Sequence, residues 1–314
     1  MIANLYLHTD SFLYNGSDTF EEFSSKFQKF VSDLSVMKVE KDENIIYVTE
    51  RFCVVNIFED KTIFDLAVSL QTEEKNLLYS ILGNTSQECD FSLDQLKSKC
   101  KYQEDESECH SIIIFNAPNT TTHSDQNYIN FDEYEIVYNK SSWIYLRRQI
   151  LGNHPQEANH FIEECKKYFP SLFFHDNNKE VVGKYLKYIP RKIIYYLSCL
   201  NDCFLNFRHS YENRENTNNM LRDFASRYNM DDEASLQGNP SKRVDLIYKF
   251  PRKKDASLKE IHCEPHLKIN KYDDNYKKKK TDDEDKFCAR IYFHFGDPEI
   301  KENIILIGSI GPHI

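Results

Sequence analysis

KEIHCEPHLKI (259–269), FCARIYFHF (287–295) and NIILIGSI (303–310) decide the reading of this chain. Each is a short run rich in β-branched and aromatic residues, and with VDLIYKF (244–250) they predict four strands. The last two are joined by GDPEIKE, whose Gly, Asp and Pro suit a hairpin loop. Between the second and third lies KYDDNYKKKKTDDEDK (271–286), whose basic and acidic halves nearly cancel, so it reads as a solvated excursion. The expectation is an antiparallel β-meander over residues 237–314, entered through the turn-rich SLQGNPSKR (235–243).

Upstream the period changes. EANHFIEECKKYF (157–169), NKEVVGKYLKYI (178–189), PRKIIYYLSCLNDCFLNFRHSYE (190–212) and NTNNMLRDFASRY (216–228) predict a helical region over 151–236. Its third helix carries Cys199 and Cys203 one turn apart, which reads as two small side chains in a helix seam rather than a metal site. Residues 1–150 alternate. IANLYLH (2–8) and SIIIFNAP (111–118) predict strands, IIYVTERFCVVNIF (45–58) a strand pair, and TFEEFSSKFQKFVSDL (19–34) and TIFDLAVSLQTEEKNLLYSIL (62–82) helices. This is an α/β region, read as a sensor or regulatory part, with polar loops at 101–108 and 119–127. The fold class expected overall is α+β.

Composition excludes several functions. No segment of the 314 residues approaches the roughly 20 uninterrupted apolar residues of a membrane span. The start MIANLYLHTDSF lacks the features of a secretory signal, so the expected location is cytoplasmic, with no membrane partner. Nine scattered cysteines without a CxxC pair argue against a disulfide framework or zinc knuckle. Only 8 Gly, and no phosphate-loop or dinucleotide fingerprint, argue against a Gly-rich nucleotide cradle, and no cofactor is expected. The formal charge of −10 divides into −13 over residues 1–241 and +3 over residues 242–314, an acidic body carrying a mildly basic end.

The chemistry-bearing residues gather in that basic end. His262, Glu264, His266 and Lys268 share one parity of an extended strand, although Pro265 disturbs the ladder. Arg290, Tyr292 and His294 share one face of another, and His313 follows the last strand. If these faces coincide, base, acid and cations meet without a metal. That set suits phosphodiester cleavage through the 2′-hydroxyl of RNA, in which a base removes the proton and cations stabilise the charge on phosphorus. Polar side chains on an open antiparallel face also simply meet water. A third reading makes His262, Glu264 and His266 a divalent-metal site.

The order HLKI with Lys268, ARIYF with Arg290 and Tyr292, and IGSIGPHI with Gly311 and His313 resembles the C-terminal half of RelE/ParE-superfamily toxins over about residues 240–314. The resemblance implies a strand with a Lys-rich element, a strand of Tyr-Arg type, an acidic hairpin and an apolar strand ending in Gly and a polar residue, with helices packed on the sheet. The family's small first strand has no clear counterpart, and YEIVYNKSSWIYLRR (134–148) is the candidate for that strand and helix start. The chain departs from the family in having one Lys and a longer loop before Arg290. By this resemblance Lys268 and Arg290 contact the scissile phosphate, His313 or His294 is general acid or base, and Tyr292 assists, while His262, Glu264 and His266 fit the pattern less directly. The function expected is a toxin-like, metal-independent ribonuclease of a toxin–antitoxin or phage-defence system. Its expected partners are RNA, the ribosome and an antitoxin or other regulatory protein. The alternatives are a non-catalytic adaptor and a metal-dependent nuclease.

Overall fold

The computed structural model describes residues 3–13, 16, 18–39, 44–83, 91–100, 109–115, 135–211, 216–230, 232, 234–274, 276 and 288–314. The polar loops 101–108 and 119–127 lie outside them. Two compact units form, Met1–Ile150 and Leu151–Ile314.

The first unit is built on β1 (Ala3–Leu7), α1 (Phe20–Val39), β2 (Asn44–Tyr47), α2 (Ile63–Ala67), α3 (Thr72–Leu82), α4 (Leu93–Lys99), β3 (Cys109–Ile113), β4 (Glu135–Val137) and α5 (Lys140–Asn153), whose last turn crosses the boundary. The four strands form one parallel sheet in the order β2-β1-β3-β4. Thr19 starts α1 with a capping box, its amide donating to Glu22 Oε2 at 2.9 Å and its Oγ1 accepting from the Glu22 amide. Phe23, Phe27 and Phe30 of α1 then pack with Leu5, Ile46, Ile113 and residues of α2 and α3 in one core. The opposite face places Tyr6 and Ile112 against Leu96 and Cys100 of α4.

Three expectations change here. The stretch 45–58 is one strand, followed by a 3-10 turn at Glu50–Cys53. Phe52, Ile57 and Phe58 are buried from irregular backbone while Val54 is exposed, so this apolar run has no strand period. The helix expected over 62–82 is two, because Thr62–Asp65 and Gln71–Glu74 each form a capping box that starts a new one. The strand within 134–148 is β4, paired with β3 in this sheet rather than supplying a first strand to the C-terminal one.

The second unit runs α6 (Ala158–Tyr168), β5 (Leu172–Phe174), α7 (Asn178–Val181), α8 (Pro190–Cys199), a π-helical turn at Leu200–Phe204, α9 (Leu205–Ser210), α10 (Thr217–Arg227), β6 (Ile247–Pro251), β7 (Leu258–His262), β8 (His266–Ile269), β9 (Ala289–His294) and β10 (Ile305–Pro312). Its main sheet has the order β5-β10-β9-β8, and β6-β7 form a separate two-stranded ribbon. The helix expected over 178–189 stops after one turn and tightens to 3-10 at Val182–Lys184, where Gly183 weakens the helix. The strand expected over 244–250 starts only at Ile247, because Asn239 caps a 3-10 turn over Pro240–Leu246.

The predicted meander is thus three antiparallel strands, β8, β9 and β10. Its fourth neighbour is β5, parallel to β10 and drawn from the helical stretch. The strand expected over 259–269 breaks at Pro265, which has no N–H for the ladder, so β7 and β8 belong to different sheets. Residues 151–236 and 237–314 therefore share a sheet and fold as one unit. Phe204 packs on Phe293 from the helical side, ring centroids 5.3 Å apart. On the other face Tyr248, Phe250, Ile261 and Cys263, from the ribbon and the residue after it, bury Tyr292 and Leu306. The molecule is α+β, and among the described residues no helix is long and apolar enough to cross a membrane.

Part of the loop expected to be solvated is anchored. Asp273 is buried, and its carboxylate accepts from the amides of Arg191 at 2.8 Å and Lys192 at 3.1 Å at the start of α8. Burial nevertheless pushes its pKa up to about 6, against the opposing pull of those two amides. Residues 277–286 lie outside the described residues.

Candidate functional site

The register of the sheet assembles the site. Lys268 lies opposite Arg290 and His266 opposite Tyr292 across β8 and β9, while Gly311 lies opposite Arg290 and Ser309 opposite Tyr292 across β9 and β10. Directly opposed residues point to the same side of a sheet, so Lys268, Arg290, His266 and Tyr292 share one face. A bulge between Ile307 and Ser309 adjusts β10 to this register. The bulge is held by Asn178, fully buried on α7. Its Nδ2 donates to the carbonyls of His175, Ile307 and Gly308 at 2.9–3.3 Å, and its Oδ1 accepts the Ile310 amide at 2.7 Å. Two glycines allow the close packing. A Cβ at Gly308 would fall 2.6 Å from the Tyr248 ring, and one at Gly311 would fall 2.7 Å from Val181 Cγ1.

Arg290 is the unusual member. It is only 7% exposed, its Nη1 donates to Asn270 Oδ1 and to the Ala289 carbonyl at 2.7 Å each, and its Nε is buried without a hydrogen-bond partner. Among the described residues no carboxylate forms an ion pair with it, although a buried cation ordinarily has one. Lys268, half-buried across the strand pair, adds a second positive charge. His313 is exposed at the end of β10, and burial together with Arg290, Lys268 and Lys242 holds its pKa below the ordinary histidine value. It is therefore neutral near pH 7 and able to accept a proton.

The deeper polar groups are structural in their bonding. His266 is 3% exposed, with Nδ1 3.1 Å from the Glu264 carbonyl and Nε2 3.3 Å from Ser235 Oγ. A carbonyl only accepts, so Nδ1 carries the proton and Nε2 accepts from the Ser235 hydroxyl. Burial lowers its pKa to about 4, which keeps the ring neutral. Tyr292 is fully buried, its hydroxyl accepting the Ile314 amide at 3.0 Å beside His313, and burial raises its pKa. The face that residue parity suggested was open to water is thus roofed by β6 and β7 over Tyr292, and its polar end remains at Lys268, Arg290 and His313.

The other proposed residues lie apart. His294 follows Arg290 by four positions of β9, about 13 Å along an extended strand. Its Nδ1 accepts from the Gly296 amide at 3.2 Å, and the charges acting on it come from Asp297, Arg208, Lys259 and His262. It does not join Lys268 and Arg290. His262 is exposed on β7 beside that second cluster. Glu264 sits in the β7–β8 connection, paired with Arg243 Nε at 3.1 Å. The strand break at Pro265 therefore splits the trio that would have bound a divalent ion. Among the described residues no three His, Cys, Asp or Glu side chains converge as a metal site.

Composition and pattern missed four contributors to the site, namely Ser235, Lys242, Asn270 and Asn178. Only Lys242 carried a signal, as one of two adjacent cations in SKR. No family model, curated protein or solved structure matches this chain.

Proposed function

We propose that the Lys268–Arg290–His313 end of the β8–β9–β10 face binds a phosphodiester of RNA and cleaves it without a metal, as the effector of a toxin–antitoxin or phage-defence system. The observation that carries this reading is Arg290, a buried guanidinium fixed by Asn270, with no carboxylate paired to it among the described residues and directly across from a second cation. Such a site is incomplete without an anion, and phosphate matches a planar donor fork. In this reading Arg290 and Lys268 neutralise the charge that develops on the phosphate oxygens. Neutral His313 takes the 2′-hydroxyl proton, the 2′ oxygen bonds to phosphorus, and the 5′ oxygen leaves with a proton from the Lys268 ammonium. Tyr292 positions the segment that carries His313 through the Ile314 amide. His266 supports the strand pair and does no proton chemistry, and His294 has no part.

A second reading, a binding-only adaptor, is favoured by the burial of Tyr292, His266 and Arg290, which leaves Lys268 and His313 as the accessible groups. Purified protein incubated with total RNA in EDTA separates the two. The ribonuclease reading requires cleavage that falls by roughly 10²–10⁴-fold in His313→Ala, the usual contribution of a general base. The adaptor reading requires RNA retention without cleavage, lost in Lys268→Ala.

A further inference from the structure

Next to the Lys268–Arg290–His313 end stands a group of tyrosine rings that the proposed chemistry does not use. β8 ends at Ile269, and the residue after it, Asn270, accepts from Arg290 Nη1 at 2.7 Å. Tyr272 follows two positions later, at most roughly 7 Å along the chain from Asn270. Its ring centroid lies 5.0 Å from that of Tyr276 and 5.8 Å from that of Tyr188, which comes from the segment before α8. Tyr188 and Tyr276 meet edge to face at 5.2 Å. All three residues are half-buried, so each keeps part of its surface in solvent.

Specific bonds build this group. The Asp273 amide donates to the Tyr188 carbonyl at 3.0 Å, its buried carboxylate accepts from the Arg191 and Lys192 amides, and the Tyr276 amide donates to the Asp273 carbonyl at 3.0 Å. Tyr272 and Tyr276 are thereby held against Tyr188 at the start of α8. On the other side the Tyr188 amide donates to the Tyr185 carbonyl at 2.9 Å. The Tyr185 pKa is raised by burial and by Cys288 and pulled down by Arg290, so Tyr185 lies beside the Arg290 site. The rim is cationic. Lys184, Lys187 and Lys271 are exposed there, with Lys187 Nζ 5.2 Å from the Tyr188 ring centre, against the one negative charge of exposed Asp274. Rings set among cations at the end of an anion site match a nucleic-acid strand, whose bases stack and whose phosphates carry the opposite charge.

We infer that Tyr188, Tyr272 and Tyr276 stack the unpaired bases that flank the phosphate held at Arg290, so that the site takes single-stranded RNA. The inference rests on the RNA reading of that site and adds what selects the strand. In a duplex the bases stack on one another and present only their edges, which leaves these rings no base face to meet. Lys184, Lys187 and Lys271 follow the backbone of the bound strand. Every base has a π-face, so the selection acts on strandedness and tolerates any sequence.

The test is anisotropy titration of the full chain with short labelled 2′-O-methyl RNA, which lacks the attacking hydroxyl and so reports binding alone. A mixed-sequence single strand is compared with the same strand in a duplex and with an abasic strand of equal length. The expected result is that the single strand binds at least about tenfold tighter than either of the others. Tyr272→Leu and Tyr276→Leu each weaken the single strand by about fivefold or more and leave the abasic strand unchanged, while Tyr272→Phe, which keeps the ring, retains the parent affinity. The comparison of probes on the parent chain decides the matter even where a variant fails to fold. Equal binding of the single and abasic strands, tighter binding of the duplex, or equal loss of all probes in both Leu variants overturns the inference. If Arg290→Met still abolishes binding in that case, the phosphate reading stands without the rings. Failure of every probe to bind the parent overturns both.

Discussion

The two units place their polar groups on different parts of a sheet, and the consequences differ. In the N-terminal unit Asn4 and Ser111 are the buried polar residues within the described strands, and His8, Thr9, Asp10, Thr49 and Arg51 stand beyond the strand ends, where the backbone leaves the core. In the C-terminal unit Arg290, His266, Ser309 and Asn178 lie within or under the strands themselves, 7% exposed or less. Exposed polar residues beyond strand ends, here Asp10 and Arg51, can change at little cost, because water replaces the lost partner. Polar residues within the sheet must be satisfied inside it, so each is tied to stability and register.

That contrast predicts a ranking of effects. Asn178→Ala should be the most damaging, since it removes four hydrogen-bond links to buried backbone at the β10 bulge. A loss of roughly 3–5 kcal/mol in urea unfolding is expected, and a loss under 1 kcal/mol would break the comparison. Acid should act next through His266. Its folded pKa of about 4 lies below the ordinary 6.5, so the unfolded chain binds the extra proton between these values. Stability from this group is present above pH 6.5 and lost as pH falls towards 4, by roughly 3 kcal/mol. His266→Gln should flatten that slope relative to the parent, and identical slopes would remove the assignment.

Arg290 sharpens the contrast because no carboxylate pairs with it among the described residues. Replacement of an uncompensated buried cation by an apolar residue of similar length removes a desolvation cost, so Arg290→Met should melt within about 1 kcal/mol of the parent or above it. Inorganic phosphate is expected to raise the melting temperature of the parent, and Arg290→Met should abolish that rise. A loss of 3 kcal/mol or more would mark Arg290 as a structural group instead. The smallest effect belongs to the N-terminal edge. There Arg51→Gln breaks one half-exposed ion pair and should change stability by less than about 1 kcal/mol.

Periodicity made the regular elements legible. The Phe23, Phe27 and Phe30 stripe gave α1, and the β-branched runs gave β1, β9 and β10. The break at Pro265 was visible as a disturbance, but its result, two strands in two sheets, depends on the partners of each half. Three-residue β5 was invisible, because LFF after Pro170 is too short to show a period and its partner β10 lies some 130 positions away. The run 45–58 misled for the opposite reason. It is apolar enough for strands, yet its buried residues are held by turns.

The site was legible as residue types and not as geometry. Whether Lys268 meets Arg290 is decided by the β8–β9 register, which a long connection does not fix, and a one-residue slip would have turned the faces apart. Parity along one strand placed His294 with Arg290, but side chains four residues apart on a strand do not converge. Asn178 gave no signal at all, because Asn-Asn before a short helix reads as an ordinary start.

The central claim is that the Lys268–Arg290–His313 end of the second sheet cleaves RNA. Induced expression of the intact chain beside His313→Ala, with growth and bulk RNA followed in both, addresses it most directly, since His313 is exposed and its loss should leave the fold unchanged. The account predicts growth arrest with fragmented RNA for the parent and intact RNA for the variant at equal protein levels. Equal RNA fragmentation in both, or purified parent protein that leaves RNA whole, would contradict it.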